Sequence, residues 1–330
     1  MGDRCGQGQA RRGIACGGMV SMQRHWTAAD IPSLQGRTAV VTGASGGLGR
    51  CVARELAAHG ARVVLACRDP AKGELVAAAI RSAGSPAEPL VAQVDLADLG
   101  SVRAVAKLLE GELDRIDILV NNAGVMGIER MTSPDGFELQ LATNYLGHFA
   151  LTNLVAGLLL AAPAARVVSV ASIVHWMGRI DLTDLNGEKR YGKMRAYAQS
   201  KLAALLFTLE LDRRLRAGGR SARALAAHPG WARTNLQAVG PQMSGARVVG
   251  ALSEIFTVVF AQSDSKGALP LLRAATDPAV EGGSYLGPHG VGGLHGYPVP
   301  ARRSHRAADA DLAGRLWGIS EEMTAVRSAF

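Results

Sequence analysis

Short apolar runs alternate with stretches of helical periodicity along most of this 330-residue chain, and this rhythm restricts its fold more than any other feature. The first run, 38–42, ends in glycines, and the stretch behind it repeats Leu48, Val52 and Leu56 at helical spacing. Strands that alternate with helices form a parallel sheet covered on both faces. The predicted strands are 38–42, 61–66, 89–94, 116–120, 166–171, 222–227 and 283–286. We therefore predict one α/β domain, a doubly wound Rossmann-type fold with a parallel sheet of six to seven strands.

The organisation around this sheet follows from composition and spacing. The stretch 135–160 predicts one long helix, and 194–217 predicts another. Near the end of the chain, apolar residues recur at helical spacing and predict a terminal helix that docks on the body. The predicted parts are a disordered extension over 1–30, the folded domain over 31–300 with a substrate loop at 235–262, and a C-terminal tail with that helix over 301–330.

The net charge of +8 is unevenly distributed, with four arginines in the first 25 residues. A basic balance favours nucleic acid or anionic lipid as a partner. However, aromatic residues make up only 5% of the chain and form no stripe among the basic residues. We interpret the charge as solvated tails together with a site for an anionic cofactor, and we expect no nucleic-acid partner.

The cysteines and the hydropathy pattern bear on the compartment. The four cysteines, Cys5, Cys16, Cys51 and Cys67, form no C-x-x-C pair and have no histidine cluster beside them. This spacing argues against disulfides and structural zinc, so we expect no metal site and a reducing, cytoplasmic location. No apolar run has the length of about 20 residues that a membrane span needs, so we expect no integral membrane segment.

The candidate functional residues share one position relative to the predicted strands. Each of them follows the carboxyl end of a strand, where doubly wound sheets bind their ligands. They are Gly43, Arg68, Asp95, Asn122, Ser172 and Pro229. We therefore predict that they form one site.

The first of these positions is a glycine-rich turn between a strand and a helix. Bare backbone at Gly43, Gly47 and Gly49 would let a pyrophosphate approach the helix N-terminus, where amides and the helix dipole favour anions. Ser45, Gly46 and Leu48 lie in the same turn and are also candidate cofactor contacts. No Gly-Lys-Ser/Thr follows, which argues against an ATP-type phosphate loop. The structural alternative is a tight turn alone.

The end of the second strand bears on which dinucleotide binds. An acidic residue there would bind the adenosine ribose of NAD, but this chain has Arg68 first and Asp69 after it. A guanidinium holds a 2′-phosphate through charge-assisted hydrogen bonds of about 1.5–3 kcal/mol each. We therefore expect NADP(H) to be favoured over NAD(H). The alternative is that Arg68 points into solvent.

Tyr197 and Lys201 lie one helical turn apart, so they share a helix face. A phenol titrates near pH ~10, and a nearby ammonium lowers that pKa because it favours the phenolate. Tyr197 would then exchange a proton with a carbonyl or hydroxyl oxygen, which Ser172 would hydrogen-bond. Asn144 would hold a water that passes protons from Lys201. Each residue alone is compatible with an ordinary structural role, and only their combination indicates a dehydrogenase active site.

This combination resembles the short-chain dehydrogenase/reductase family from about Thr38 to Leu286. The family pattern T-G-x3-G-x-G matches Thr42 to Gly49, N-N-A-G matches 121–124, and the catalytic tetrad matches Asn144, Ser172, Tyr197 and Lys201. The resemblance implies a doubly wound Rossmann-type fold, hydride transfer between a nicotinamide cofactor and a substrate carbon, and a set of cofactor contacts. The further cofactor contacts that it implies are Asp95 at the adenine, Thr234 at the nicotinamide carboxamide, and Leu96, Asn122, Ala123, Gly124, Tyr197, Lys201, Pro229 and Gly230.

Finer features are similar to the retinol dehydrogenase-like branch of that family. They are the segments 66–69, 184–188 and 228–236. The branch implies NADP and a lipophilic alcohol or carbonyl as substrate, and the Ala/Arg/Gly-rich composition favours a bacterial source. Ala171 stands where many relatives have a first serine. The alternatives are a non-catalytic NAD(P)-binding regulatory or interaction protein of the same fold, and a methyltransferase on a similar sheet. A homo-oligomer is compatible with the sequence.

Overall fold

The computed structural model describes residues 2, 25–231 and 263–330. Its centre is an eight-stranded sheet in the order β3-β2-β1-β4-β5-β6-β7-β8. The strands are β1 Thr38–Thr42, β2 Arg62–Cys67, β3 Leu90–Gln93, β4 Ile118–Asn121, β5 Arg166–Val170, β6 Arg223–Ala227, β7 Tyr285–Pro288 and β8 Pro298–Pro300. The first seven are parallel, and β8 runs antiparallel to β7. The predicted doubly wound α/β domain is confirmed, with one strand beyond the predicted six to seven.

The additional strand, β8, carries proline at both ends. Pro298 lies opposite Pro288, and Pro300 lies opposite Leu286. Proline lacks an N–H group, so it weakens the sequence signal for a strand and is tolerated only at a sheet edge. The strand count was therefore too low because the prolines hid an edge strand.

Nine helices in the described residues surround the sheet. They are α1 Gly47–Ala58, α2 Pro70–Ser82, α3 Leu99–Glu112, α4 Leu139–Leu141, α5 Gly147–Leu154, α6 Ala156–Ala161, α7 Lys193–Ala217, α8 Asp264–Thr276 and α9 Ala310–Thr324. The single helix predicted for 135–160 is wrong. A π-helical segment, Ala142–Leu146, separates α4 from α5, and a break at Val155 separates α5 from α6. Such segments keep the same apolar face, so periodicity does not reveal them.

The two faces of the sheet bury separate apolar layers. Val40 faces one layer and its neighbour Val41 faces the other, because successive side chains of a strand point to opposite faces. The first layer includes residues of α3, α5, α7 and α9, and the second includes residues of α1, α2 and α8. Burial on both faces explains why the strands are nearly continuous apolar runs.

Both ends of the described chain pack on this body. His25 stacks on Tyr297 with ring centroids 4.4 Å apart, and Ala28–Asp30 forms a 3-10 turn. Residues 25–30, which the sequence prediction assigned to the disordered extension, therefore belong to the fold. At the other end, α9 buries Trp317 in the first layer. The predicted substrate loop 235–262 lies outside the described residues. No helix in the described part of the chain has the length and hydropathy to cross a membrane.

Candidate active site

The carboxyl ends of β1 and β4 are joined through the side chain of Thr42. Its Oγ1 accepts hydrogen bonds from the backbone N–H groups of Asn122 at 2.8 Å and Ala123 at 3.0 Å. The Asn122 side chain donates to the Thr42 carbonyl oxygen at 2.7 Å. These hydrogen bonds thus hold the glycine-rich turn and the 121–124 turn side by side at the edge of the sheet.

Glycine is required where these turns meet. A Cβ on Gly49 would overlap the carbonyl oxygen of Gly43 and lie 2.5 Å from Nδ2 of Asn122. Gly43 has φ +65°, and a Cβ there would lie 2.9 Å from the Cα of Ala123. Two of the predicted cofactor glycines therefore have a packing reason as well.

The N-terminus of α1 suits a phosphate. Among the described residues, no side chain caps its first amides, and Gly46 occupies the capping position. By contrast, α2, α3 and α9 are capped by Asp69, Asp98 and Asp309. An uncapped helix start made of glycines leaves amides available to an anion and places no carboxylate against it. The residues present therefore fit the pyrophosphate of a dinucleotide.

The next two strand ends carry the predicted adenosine contacts. Arg68 is exposed directly after β2, whereas the Asp69 carboxylate accepts from the Lys72 backbone at 3.2 Å and pairs with its ammonium at 3.3 Å. Asp95 follows β3 and accepts from the Ala97 backbone at 2.9 Å. Leu96 is buried, and its carbonyl oxygen lies against Gly147, where a Cβ would overlap it.

Asn144 lies in the π-helical segment and holds the 121–124 turn against α7. Its Oδ1 accepts from the Val125 N–H at 2.8 Å, and its Nδ2 donates to the Val125 carbonyl at 2.9 Å and to Ser200 Oγ at 2.9 Å. A Cβ on Gly124 would lie 3.0 Å from Asn144 Oδ1 and 3.6 Å from Lys201 Nζ. The structure therefore brings the predicted cofactor turn and the predicted catalytic residues together.

Lys201 is 3% exposed, and its Nζ donates to the Val170 carbonyl oxygen at 2.9 Å. Burial lowers the pKa of its ammonium to about 8, because desolvation disfavours the charged form. Its Nζ lies 5.8 Å from the centre of the Tyr197 ring. The predicted i, i+4 pair thus shares one buried face of α7.

Tyr197 is 4% exposed, and burial raises the pKa of its phenol to about 12. A hydrogen bond with the Ser172 side chain acts in the opposite direction and is the smaller effect. The sequence prediction expected Lys201 to lower this pKa. Among the protein's own groups, desolvation of the phenolate outweighs any attraction to that ammonium.

Ser172 follows β5 and begins the 3-10 helix Ile173–Met177. Its Oγ accepts from the Val174 N–H at 3.2 Å, which fixes the direction of the hydroxyl near Tyr197. Ser172 is therefore followed by a short ordered turn. This turn exists because a serine at the capping position satisfies an otherwise unpaired amide.

The turn after β6 closes the row of strand ends. Gly230 has φ +68°, and a Cβ there would overlap the carbonyl oxygen of Leu294. The Trp231 N–H donates to that same oxygen at 2.8 Å. Pro229 and Gly230 thus lie at the carboxyl end of β6, as predicted. Thr234, the predicted carboxamide contact, lies outside the described residues.

Two polar residues that the sequence analysis missed support this arrangement. Ser200 donates to the Tyr197 carbonyl at 2.8 Å while it accepts from Asn144. His148 contacts the Asn144 carbonyl oxygen through Nδ1 at 3.3 Å and Thr42 Oγ1 through Nε2 at 2.9 Å. The position of Ser200 next to Lys201, and the i, i+4 spacing of Asn144 and His148, were the available signals.

The geometry matches a known family. The sequence model described as short chain dehydrogenase matches residues 37–244, well over half of the chain. The chain belongs to the short-chain dehydrogenase family. It is therefore an oxidoreductase that acts on CH–OH donors, and the family's fold binds NAD(P).

Curated relatives narrow the similarity within this short-chain dehydrogenase family. Retinol dehydrogenase 14 of Mus musculus is 38% identical over 92% of this chain and 90% of its own length. Retinol dehydrogenase 13 of Mus musculus is 39% identical over 96% of this chain and 93% of its own length. The resemblance to the retinol dehydrogenase-like branch is confirmed.

Solved structures agree with the fold. A crystal structure of an uncharacterized protein from Mycobacterium Paratuberculosis is 44% identical, covers 93% of this chain and 100% of its own, and has a TM-score of 0.76. A protein from Beutenbergia cavernae that has been assigned as an NAD(P)-dependent gluconate 5-dehydrogenase, solved with NADP bound at low occupancy, is 30% identical and has a TM-score of 0.59. Its match covers 77% of this chain and 95% of its own.

Proposed function

We propose that this short-chain dehydrogenase is an NADP(H)-dependent enzyme that transfers a hydride between the nicotinamide and a carbonyl or alcohol carbon of a lipophilic small molecule. The observation that carries the proposal is one juxtaposition. The buried pair Tyr197 and Lys201 lies beside Asn144 and Gly124, on the side of the sheet where α1 presents its uncapped N-terminus. This juxtaposition supports the proposal of a proton donor beside a dinucleotide site.

In this proposal the bound dinucleotide supplies the hydride acceptor or donor. The Tyr197 hydroxyl donates its proton to the substrate oxygen in reduction and accepts one in oxidation. Ser172 hydrogen-bonds the same oxygen and stabilises its developing charge. The Lys201 ammonium favours the phenolate form of Tyr197 during the transfer. Asn144 fixes the turn that carries Gly124 and holds the water of a proton relay.

The surroundings of the proposed catalytic residues support a lipophilic substrate. Trp176 and Met177 follow Ser172 and are 52% and 67% exposed, and Met194 precedes Tyr197 and is 45% exposed. Exposed large apolar side chains favour an apolar ligand, and each of these three lies within five residues of Ser172 or Tyr197 in the sequence. The relatives named retinol dehydrogenases are consistent with this choice.

We also propose a cytoplasmic location, because the spacing of the four cysteines argues against disulfides.

The proposed preference for NADP rests on the end of β2. The Arg68 guanidinium is exposed, whereas the Asp69 carboxylate is engaged in capping α2 and in an ion pair with Lys72. A carboxylate so engaged has less capacity to bind the two ribose hydroxyls of NAD. An exposed guanidinium suits a 2′-phosphate, for which its planar fork is well matched.

The test is a fluorescence titration of the purified protein with NADPH and with NADH. We expect NADPH to bind about tenfold or more tightly than NADH, since one charge-assisted hydrogen bond contributes about 1.5–3 kcal/mol. Arg68→Ala should lower NADPH affinity to that of NADH and leave NADH binding unchanged. Arg327→Ala, which removes an 83% exposed arginine of the C-terminal tail, is the matched control. Equal wild-type affinities would contradict the NADP preference, and binding of neither would contradict the proposed function.

A further inference from the structure

A buried histidine joins the proposed catalytic serine to the C-terminal part of the chain. The Nδ1 of His175 lies 2.7 Å from the Ser172 carbonyl oxygen, and its Nε2 lies 3.1 Å from the Ser304 backbone nitrogen. A carbonyl oxygen only accepts and a backbone N–H only donates. The network therefore assigns a neutral imidazole that donates from Nδ1 and accepts at Nε2.

A second bond holds the other end of the same 3-10 helix. Arg306 Nη1 donates to the Gly178 carbonyl oxygen at 3.1 Å, directly after Ile173–Met177. Gly178 itself is pressed against α7, since a Cβ there would lie 2.5 Å from the Ala198 carbonyl oxygen. The segment 303–308, here called the C-terminal brace, thus contacts the middle of this 3-10 helix at His175 and its end at Gly178.

The groups around His175 keep its imidazole neutral. Burial lowers its pKa, and the nearby guanidinium of Arg303 acts in the same direction. Arg303 is itself anchored, because its Nη2 donates to the Gly283 carbonyl at 2.6 Å. The titratable groups that face the imidazole from the sheet are Tyr285, with ring centroids 5.6 Å apart, and His228. None of these supplies a carboxylate that would stabilise an imidazolium.

We propose that His175 is a positioning residue that couples Ser172 to the C-terminal brace, so that catalysis depends on residues far outside the strand-end site. This inference rests on the proposed function. The Ser172 carbonyl accepts from the His175 backbone N–H at 3.1 Å and from His175 Nδ1 at 2.7 Å, and the Ser172 hydroxyl accepts from the Val174 N–H. Loss of the imidazole bond leaves the carbonyl with its backbone bond alone and lets the hydroxyl drift from Tyr197, and a misplacement of about 1 Å costs roughly 100-fold in rate.

Two substitutions separate the two bonds of His175. His175→Asn keeps a donor at the Nδ1 position and loses the acceptor one atom further out, whereas His175→Gln places an amide at the outer position and loses the inner donor. We expect His175→Gln to lower kcat about tenfold with KM for NADPH unchanged. His175→Asn severs only the bond to the brace and should lower kcat by about threefold. Equal losses in both variants would overturn the proposal.

A double-variant comparison tests whether His175 acts through Ser172. In a Ser172→Ala background, His175→Gln should cause no further fall in kcat, because the group that it positions is gone. A full additional fall would indicate a general structural role and overturn the inference. A wild-type protein with no NADPH-dependent turnover would instead refute the proposed function, so the two failures are distinguishable.

Hydrogen exchange tests the coupling without any substrate. His175→Asn removes the acceptor of the Ser304 N–H, so the Ser304 amide should exchange at least about tenfold faster than in wild type. Arg306→Ala loosens the brace from its exposed side and should lower kcat by about threefold without endangering the core. The matched control is His305→Ala, which alters an exposed residue of the same segment. Unchanged exchange at Ser304 in His175→Asn would show that the brace is not coupled to His175.

Discussion

At the scale of single residues, burial acts oppositely on the two members of the proposed catalytic pair. It raises the pKa of Tyr197 to about 12 and lowers the pKa of Lys201 to about 8, because the charged form is disfavoured in both. At neutral pH the phenol therefore keeps its proton. This suits a general acid for carbonyl reduction.

Replacement of Tyr197 by Phe should remove the proton donor and keep the ring. We expect kcat to fall by about 10²–10⁴-fold, the usual contribution of a positioned acid, with NADPH affinity retained. Steady-state kinetics and a fluorescence titration measure the two quantities. The control is Tyr297→Phe, which removes a phenol hydroxyl from a ring stacked on His25. A Phe variant with wild-type turnover would support the non-catalytic alternative.

The Lys201 ammonium should limit activity on the alkaline side. Its pKa is lowered, so the positive charge is present below pH about 8 and is lost above it. We expect kcat to decrease as the pH rises through 8. Lys201→Met should lower kcat at pH 7 and abolish this alkaline decrease, as a pH profile from 6 to 10 would show. An unchanged decrease in the Met variant would assign it to another group.

At the scale of elements, the sequence predicted those whose signal is local. Strands β1, β2, β4, β5 and β6 were recognisable because they are buried on both faces and read as apolar runs. The π-helical segment was not, because it keeps the apolar face of the predicted helix and because its Asn144 bonds Val125, a contact across 19 residues. The edge strand β8 was hidden by its prolines.

The contact between α1 and the sheet can be tested with glycine substitutions. Gly49→Ala would place a Cβ against the Gly43 carbonyl oxygen and the Asn122 side chain. Neither can move easily, because the first is backbone and the second is hydrogen-bonded to the Thr42 carbonyl. We expect a loss of about 1–3 kcal/mol in the free energy of unfolding, together with weaker NADPH binding. Gly314→Ala in α9 meets no atom within 4 Å and should stabilise by about 0.5–1 kcal/mol. Urea unfolding of both variants measures the difference, and similar effects would contradict the close approach.

At the scale of the whole molecule, the site was predictable where the family's motifs follow the strand ends. Gly43, Asn122 and Ser172 are examples, and Tyr197 reaches the same edge of the sheet from α7, where it hydrogen-bonds Ser172. His175 and its partner Ser304 are 129 residues apart, and no spacing rule relates them. Contacts of this kind arise from packing, which a single sequence does not encode locally.

Three buried histidines, His148, His175 and His228, should make the molecule sensitive to acid. Burial lowers the pKa of His148 to about 3 and of His228 to about 4, whereas an unfolded histidine titrates near ~6.5. The unfolded state therefore binds more protons below pH ~6.5, so stability is full above it and is lost as the pH falls.

Well below pH ~6.5, we expect His148 and His228 each to lower the free energy of unfolding by about 1.4 kcal/mol for each unit by which the pH falls. Urea unfolding at several pH values between 6.5 and 5 measures the slope. His148→Gln should reduce it by one histidine's share, whereas the exposed His295→Gln should leave it unchanged. Equal slopes in wild type and His148→Gln would contradict the assignment.

The prolines of β8 have a consequence beyond the count of strands. A parallel sheet that stops at an open edge offers a ladder to any extended chain that meets it, including another copy of itself. In β8 only Val299 retains an N–H group, because the residues on either side of it are prolines. An incoming strand would find almost no donors there. This edge of the sheet therefore disfavours pairing with a strand of another molecule, which is the first step toward a fibril.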